Sequence, residues 1–117
     1  MTHRTATVTP AFKVWLRKGE RDVLGEGGAS LLEAIDRYGS ITKAAERTGL
    51  SYKYAWDRLA DVQAAVGHPI LRTKRGGRTG GGGAELTETA RTLLRKYRRL
   101  KQEVEKVVAD SGLRFSI

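Results

Sequence analysis

Cysteine is absent from the 117 residues, which excludes disulfides, thiolate metal sites and cysteine nucleophiles together. Histidine is nearly absent as well. His3 and His68 are the only imidazoles, too few and too far apart in sequence to suggest a ligand set or a catalytic base, so no metal, no cofactor and no enzymatic activity are expected. No apolar run approaches the roughly 18 residues that span a bilayer, and Met1 to Pro10 contain no apolar leader segment, so no membrane role and a cytoplasmic location are expected. Proline occurs twice. Acids are the last scarcity: 13 Asp and Glu stand against 22 Lys and Arg, a formal charge of +9. Such an excess favours a polyanionic partner, with nucleic acid ahead of an anionic membrane surface, and points to a nucleoid-associated location. With 39% hydrophobic and 30% charged residues, the chain has the composition of one globular unit.

The hydrophobic pattern divides this unit. Phe12, Val14 and Leu16 alternate with Lys13, Trp15 and Arg17 before Gly19-Glu20 and a short return through Val23-Leu24, which predicts a β-hairpin over residues 12–25. Ser30 and Glu33 form a capping box, placing a first helix over residues 31–38, with Gly27 and Gly28 assigned to the preceding turn. Ser40 or Thr42 opens a short second helix that Gly49 ends, and Ser51 caps a third whose apolar positions are Ala55, Trp56, Leu59, Val62 and Val66. On that pattern Trp56 belongs to the core. Between Pro69 and Ala84 lie Arg72, Lys74, Arg75 and Arg78 with no acid and a cluster of glycines, the pattern of a basic, flexible hairpin. A long helix then carries Leu86, Ala90, Leu93, Tyr97, Leu100, Val104 and Val107 at heptad spacing, a seam that predicts homodimerisation through residues 86–108.

Small Ala44 and Ala45 before a Thr48-Gly49-Leu50 turn match a helix-turn-helix, because the first helix must lack bulk where the second crosses it. The basic hairpin after the third helix fits a wing, whose cations meet phosphate and whose glycines permit close backbone approach. The residues expected to contact DNA are Thr42 and Lys43 on the second helix and Ser51, Tyr52, Lys53, Tyr54 and Arg58 on the third. The hairpin contributes Arg72, Lys74, Arg75, Arg78 and Thr79. Asp57 and Asp61 on the same helix are read as partners of nearby arginines. The glycine run from Gly76 to Gly83 lacks a following Gly-Lys-Ser/Thr, so a nucleotide-hydrolase loop is rejected. The fold expected is mainly α with small β: a winged helix-turn-helix with an N-terminal hairpin over residues 1–85, and a long dimerisation helix with a short tail over residues 86–117.

The stretch around Gly25 to Trp56, LGEGGASLLEAIDRYGSITKAAERTGLSYKYAWDRL, and the later GGRTGGGGAELTETA resemble the N-terminal DNA-binding domain of ModE-type, molybdate-dependent transcriptional regulators. The specific features are Ser-Tyr-Lys-x-Ala-Trp-Asp from Ser51 to Asp57 and the four glycines preceding Ala84-x-Leu86-Thr87. Ala44-Ala45, Leu50-Ser51 and Leu86-Thr87 are more loosely similar to LysR-type helix-turn-helix domains. The resemblance implies a winged-helix dimer that reads a palindromic operator with its third helix and wing. In that family molybdate binds in C-terminal oxyanion-binding domains of small β-barrel type. The sequence stops at Ile117, so no effector domain is expected and the ligand is not carried over. Three arrangements fit: a stand-alone repressor, a regulator whose sensor is a separate chain, and a constitutive DNA binder.

The leading expectation is therefore a sequence-specific transcription regulator acting on double-stranded DNA as a homodimer. The alternative is an architectural, chromosome-coating protein, which would rely on phosphate contacts and apolar wedges more than on base readout.

Overall fold

Glycine in the left-handed conformation ends each of the first three helices. Gly39, Gly49 and Gly67 have φ of +66°, +73° and +79°, and each donates its backbone N–H to a carbonyl of the helix it closes. These stops keep the helices short enough to fold over one another. A computed structural model describes residues 5–74 and 82–117. Its elements are β1 (Thr7–Val8), β2 (Leu16–Lys18), β3 (Arg21–Leu24), α1 (Glu26–Tyr38), α2 (Ile41–Thr48), α3 (Tyr52–Val66), β4 (Leu71–Lys74), β5 (Gly83–Leu86), α4 (Glu88–Asp110) and β6 (Phe115–Ser116). The strands form three separate antiparallel pairs, β1 with β6, β2 with β3 and β4 with β5. The architecture is mainly α with small β, a winged helix-turn-helix followed by a long helix.

The starts of α2, α3 and α4 are fixed by side-chain caps. Ser40 Oγ accepts from Lys43 N–H, Ser51 Oγ from Tyr54 N–H and Thr87 Oγ1 from Ala90 N–H. Each satisfies a donor that the first helical turn leaves without an intrahelical partner. Ser51 is as the sequence indicates, and of the two candidates for α2 it is Ser40 that caps.

α1 departs from the sequence reading, since it begins at Glu26 with Gly25 as an uncapped N-cap, and Ser30 lies inside it. Gly27 and Gly28 are both helical, and Gly28 is where α1 presses against β3. A Cβ on Gly28 would come within 2.9 Å of Leu24 Cδ1, so the missing side chain is a packing requirement and not a turn signal. The hairpin is also shorter than residues 12–25, with a register irregularity between Leu16 and Arg17. The core gathers Leu24, Leu31, Leu32, Ile35, Leu59, Val62, Ile70, Leu86 and Leu94, with Ala44 and Ala45 buried at the α2 crossing.

The final helix requires two corrections. It starts at Glu88, and Leu86 is the last residue of β5 instead of the first of the seam. Leu86, Ala90 and Tyr97 are buried in the chain's own core, together with Leu94, while Leu93 packs partly against it. The first half of the heptad stripe is thus consumed by intrachain packing, because α4 lies against α1 over that length. Only the outer half stays open: Leu100 is 39% and Val107 69% exposed, with Val104 half-buried. Beyond the helix, β6 pairs with β1 through Thr7↔Ser116 and Val8↔Phe115, a ribbon that two-residue strands do not announce in sequence.

Candidate nucleic-acid interface

Ala55, Leu59, Val62 and Ala65 form the buried stripe of α3, and at 3.6 residues per turn the opposite line runs through Lys53 and Asp57. Tyr52 and Trp56 flank that line on one side and Tyr54 and Arg58 on the other. All of these flanking side chains are exposed. The first turn of α3 therefore presents Tyr52, Lys53 and Tyr54 outward from a helix whose start is held by the Ser51 hydroxyl at 3.1 Å. Asp57 takes Lys53 Nζ at 3.3 Å, so its partner is a lysine one turn back and not an arginine. Arg58 lines a cleft together with Trp15, Asp22, Gly25 and Asp61.

Trp56 is the main correction on this face. The apolar spacing places it in the core, yet it is 47% exposed. It lines a cleft of about 270 Å³ with Leu59, Ala60, Gln63, Ile70, Leu71 and Thr73. Ala55 next to it fills the buried position of the stripe. Only its identity as a bulky aromatic in the exposed second turn could have signalled this.

Two further elements frame the face. Thr42 and Lys43 are exposed on the first turn of α2, where Ser40 caps. On β4, Arg72 and Lys74 are exposed and face Glu85 and Gly83 across the ladder. The hairpin is anchored to the end of α1 at its inner strand, where Ala84 N–H donates to Gly39 O at 2.8 Å, and its base is closed by Thr87 N–H donating to Ile70 O at 3.0 Å. Arg75, Arg78 and Thr79 lie outside the described residues. A second cationic surface runs along α4, but much of it is neutralised within the chain. Arg91 pairs with Asp36 at 2.8 Å, Arg98 with Glu33 at 2.6 Å and Lys101 with Glu26 at 2.7 Å. Arg37 and Arg47 both sit over the Tyr38 ring, 5.6 and 5.3 Å from its centroid.

Among the described residues no three His, Asp or Glu side chains are grouped to hold a metal ion, and no helix is long and apolar enough to cross a membrane.

Residues 29–91 match the family described as bacterial regulatory helix-turn-helix protein, lysR family. Over 75 residues the chain is 43% identical to the molybdenum transport protein ModE of Azotobacter vinelandii, covering 64% of this chain and 27% of that protein. It is 38% identical over 94 residues to the molybdenum-pterin-binding protein MopB of Rhodobacter capsulatus, covering 80% and 34%. The DNA-binding transcriptional dual regulator ModE of Escherichia coli K12 is 39% identical over 77 residues, covering 66% and 29%. The aligned region thus spans about a third or less of these relatives' length. Among solved structures, the fold resembles the CbnR DBD–DNA complex with a TM-score of 0.57 at 23% identity, covering 74% of this chain and 93% of that one. It also resembles the BenM DBD/benA site 1 DNA complex with a TM-score of 0.54 at 18% identity, covering 72% and 88%.

Proposed function

Since the chain belongs to the lysR family of bacterial regulatory helix-turn-helix proteins, we propose that it binds double-stranded DNA sequence-specifically and regulates transcription as a homodimer. The observation that carries this reading is the first turn of α3, where Tyr52, Lys53 and Tyr54 stand exposed on a helix capped by Ser51, with the cationic strand β4 to one side. A recognition helix reads base edges with its N-terminal residues, and a wing meets the adjacent backbone. Lys53 is free to do so at small cost. Its pair with Asp57 is exposed on both sides, and such i,i+4 pairs contribute only about 0.3–0.5 kcal/mol.

In this reading Lys53 reaches a phosphate or a guanine edge, and Tyr52 or Tyr54 packs on a thymine methyl or the sugar backbone. Thr42 and Lys43 approach phosphate from the start of α2. Arg72 and Lys74 hold the backbone beside the wing, with Arg75, Arg78 and Thr79 assigned to the same role from sequence alone. The dimer forms through the outer half of α4, where Leu100, Val104 and Val107 remain available.

Binding isotherms on a selected and a mixed-sequence duplex, measured across salt, test the proposal. About 6 to 10 phosphate contacts imply a loss of roughly a thousandfold to a hundred-thousandfold in affinity between 50 and 200 mM salt. Lys53→Ala or Tyr54→Ala is expected to reduce discrimination at one position per half-site by about 1 to 3 kcal/mol. Equal weakening on both duplexes would defeat the direct-readout assignment.

A further inference from the structure

Apolar surface is left uncovered mainly at one end of the chain. Among the described residues nine large hydrophobic side chains are exposed, and five of them, Leu100, Val107, Leu113, Phe115 and Ile117, fall within residues 100–117. The last three are more than half exposed and recur at every second position, so they line one face of the strand around β6. Such a concentration marks a surface that another protein covers. The ribbon carrying it is also incomplete. Among the described residues β1 and β6 pair only with each other, two residues against two. A lone two-stranded ribbon is marginal in water unless further strands or a packed face support it.

One edge of β6 is free to extend the sheet. Ala6 and Ile117 exchange both backbone hydrogen bonds, at 3.3 and 2.8 Å. By the antiparallel alternation the N–H and C=O of Ser116, opposite Thr7, and of Arg114 beyond it point away from β1. An antiparallel pair of identical strands is two-fold symmetric, and this segment is self-complementary about Phe115. In that register Phe115 opposes Phe115 of the partner subunit and Leu113 opposes Ile117 of the partner subunit, so both ends and the centre of the face form apolar pairs. Arg114 exchanges hydrogen bonds with the partner's Ser116, which keeps the two arginines apart. We propose that β6 pairs in this register with β6 of a second copy, giving a four-stranded sheet in the order β1, β6, β6, β1 across the two-fold axis. The apolar face of outer α4, with Leu100 and Val107, runs into this segment through Ser111 and Gly112, so one partner covers both. The inference rests on the homodimer reading above and deepens it, because the strand pair fixes the direction in which the two α4 helices meet.

The chain has no cysteine, so a single introduced thiol reports the register. Phe115→Cys is expected to give a disulfide-linked dimer under mild oxidation, because directly opposed residues of a non-hydrogen-bonded antiparallel pair lie about 4.5 Å apart at Cα, within disulfide reach. Arg114→Cys and Ser116→Cys should link far less, since each position lies opposite the other and not opposite itself. Sedimentation supplies a second readout. Ser116→Pro removes an outward N–H from β6 and none of the bonds to β1, and is expected to weaken self-association by roughly tenfold or more. Thr7→Pro removes the corresponding outward N–H from β1 and should leave association unchanged, with circular dichroism verifying that both variants are folded. If the unsubstituted chain is dimeric but Phe115→Cys links no better than its neighbours, the inference fails and a dimer through α4 alone stands. Weakening by Thr7→Pro and not by Ser116→Pro would move the partner to β1 and also overturn it. If the unsubstituted chain sediments as a monomer at micromolar concentration, the underlying homodimer reading fails instead.

Discussion

Gly27 and Gly28 are adjacent in sequence and opposite in what they tolerate. A Cβ on Gly27 meets nothing within 4 Å, whereas one on Gly28 meets buried Leu24 at 2.9 Å. Gly27→Ala should therefore stabilise the fold by about 0.5–1 kcal/mol through helix propensity. Gly28→Ala should lose that gain to overpacking, which typically costs about 1–3 kcal/mol. Urea unfolding of both variants checks this, and equal shifts would contradict it. A similar contrast separates the caps. Ser51 accepts one hydrogen bond on an exposed turn, while Thr87 is nearly buried, accepts from Ala90 N–H and donates to Pro69 O. Ser51→Ala is expected to cost about 1 kcal/mol and Thr87→Ala roughly 2 kcal/mol, with Thr87→Ser recovering most of the loss. The Ser51 cap was legible because a hydroxyl before a helix has one dominant use, whereas Ser30, read in the same way, lies inside α1. Gly28 and Trp56 were not legible, since glycine serves both turns and close packing, and an aromatic at apolar spacing says nothing about whether space exists for it.

Along α1 and α4 the organising feature is a ladder of charge. Glu26, Glu33 and Asp36 face Lys101, Arg98 and Arg91 in antiparallel order. Exposed pairs are individually weak, but a series fixes the angle at which α4 leaves the core. Lys101 holds the Glu26 carboxyl below its ordinary value of 4.5, chiefly by donating a hydrogen bond and then by its charge. The same hydrogen bond, accepted by Glu26, raises the Lys101 ammonium. A lowered carboxyl stabilises the folded state above the ordinary carboxylate range and ceases to do so as pH falls through the lowered value. Glu26→Gln should therefore be less stable than the unsubstituted chain near neutrality, with the difference shrinking on acidification from pH 4.5 downward. Unfolding curves across that range test it, and a constant difference would show that the pair does not titrate as a unit. None of this ladder was visible in sequence, because it joins residues 55 to 75 positions apart. The heptad spacing of α4 was visible but ambiguous: a stripe of period 3.5 looks the same whether a partner chain or the chain's own α1 covers it.

The whole molecule is elongated, 63 by 39 by 21 Å, and the outer half of α4 carries exposed Leu100 and Val107. Sedimentation at micromolar concentration should report a dimer, and Leu100→Glu with Val107→Glu should reduce it to the monomer mass. A monomer for the unsubstituted chain would remove the proposed interface. The order of helices, the basic hairpin and the exposed first turn of α3 could be read from caps, glycine stops and charge. The pairing of β1 with β6 could not, being too short to show a period. The claim on which the functional account depends is sequence-specific recognition of DNA by a two-fold symmetric assembly, and selection of bound duplexes from a random pool tests it most directly. The account predicts enrichment of an inverted repeat whose half-sites lie about 34 Å, one helical turn, or a multiple of it apart. Salt-sensitive binding with no enriched sequence would contradict it and favour a protein that coats DNA irrespective of sequence.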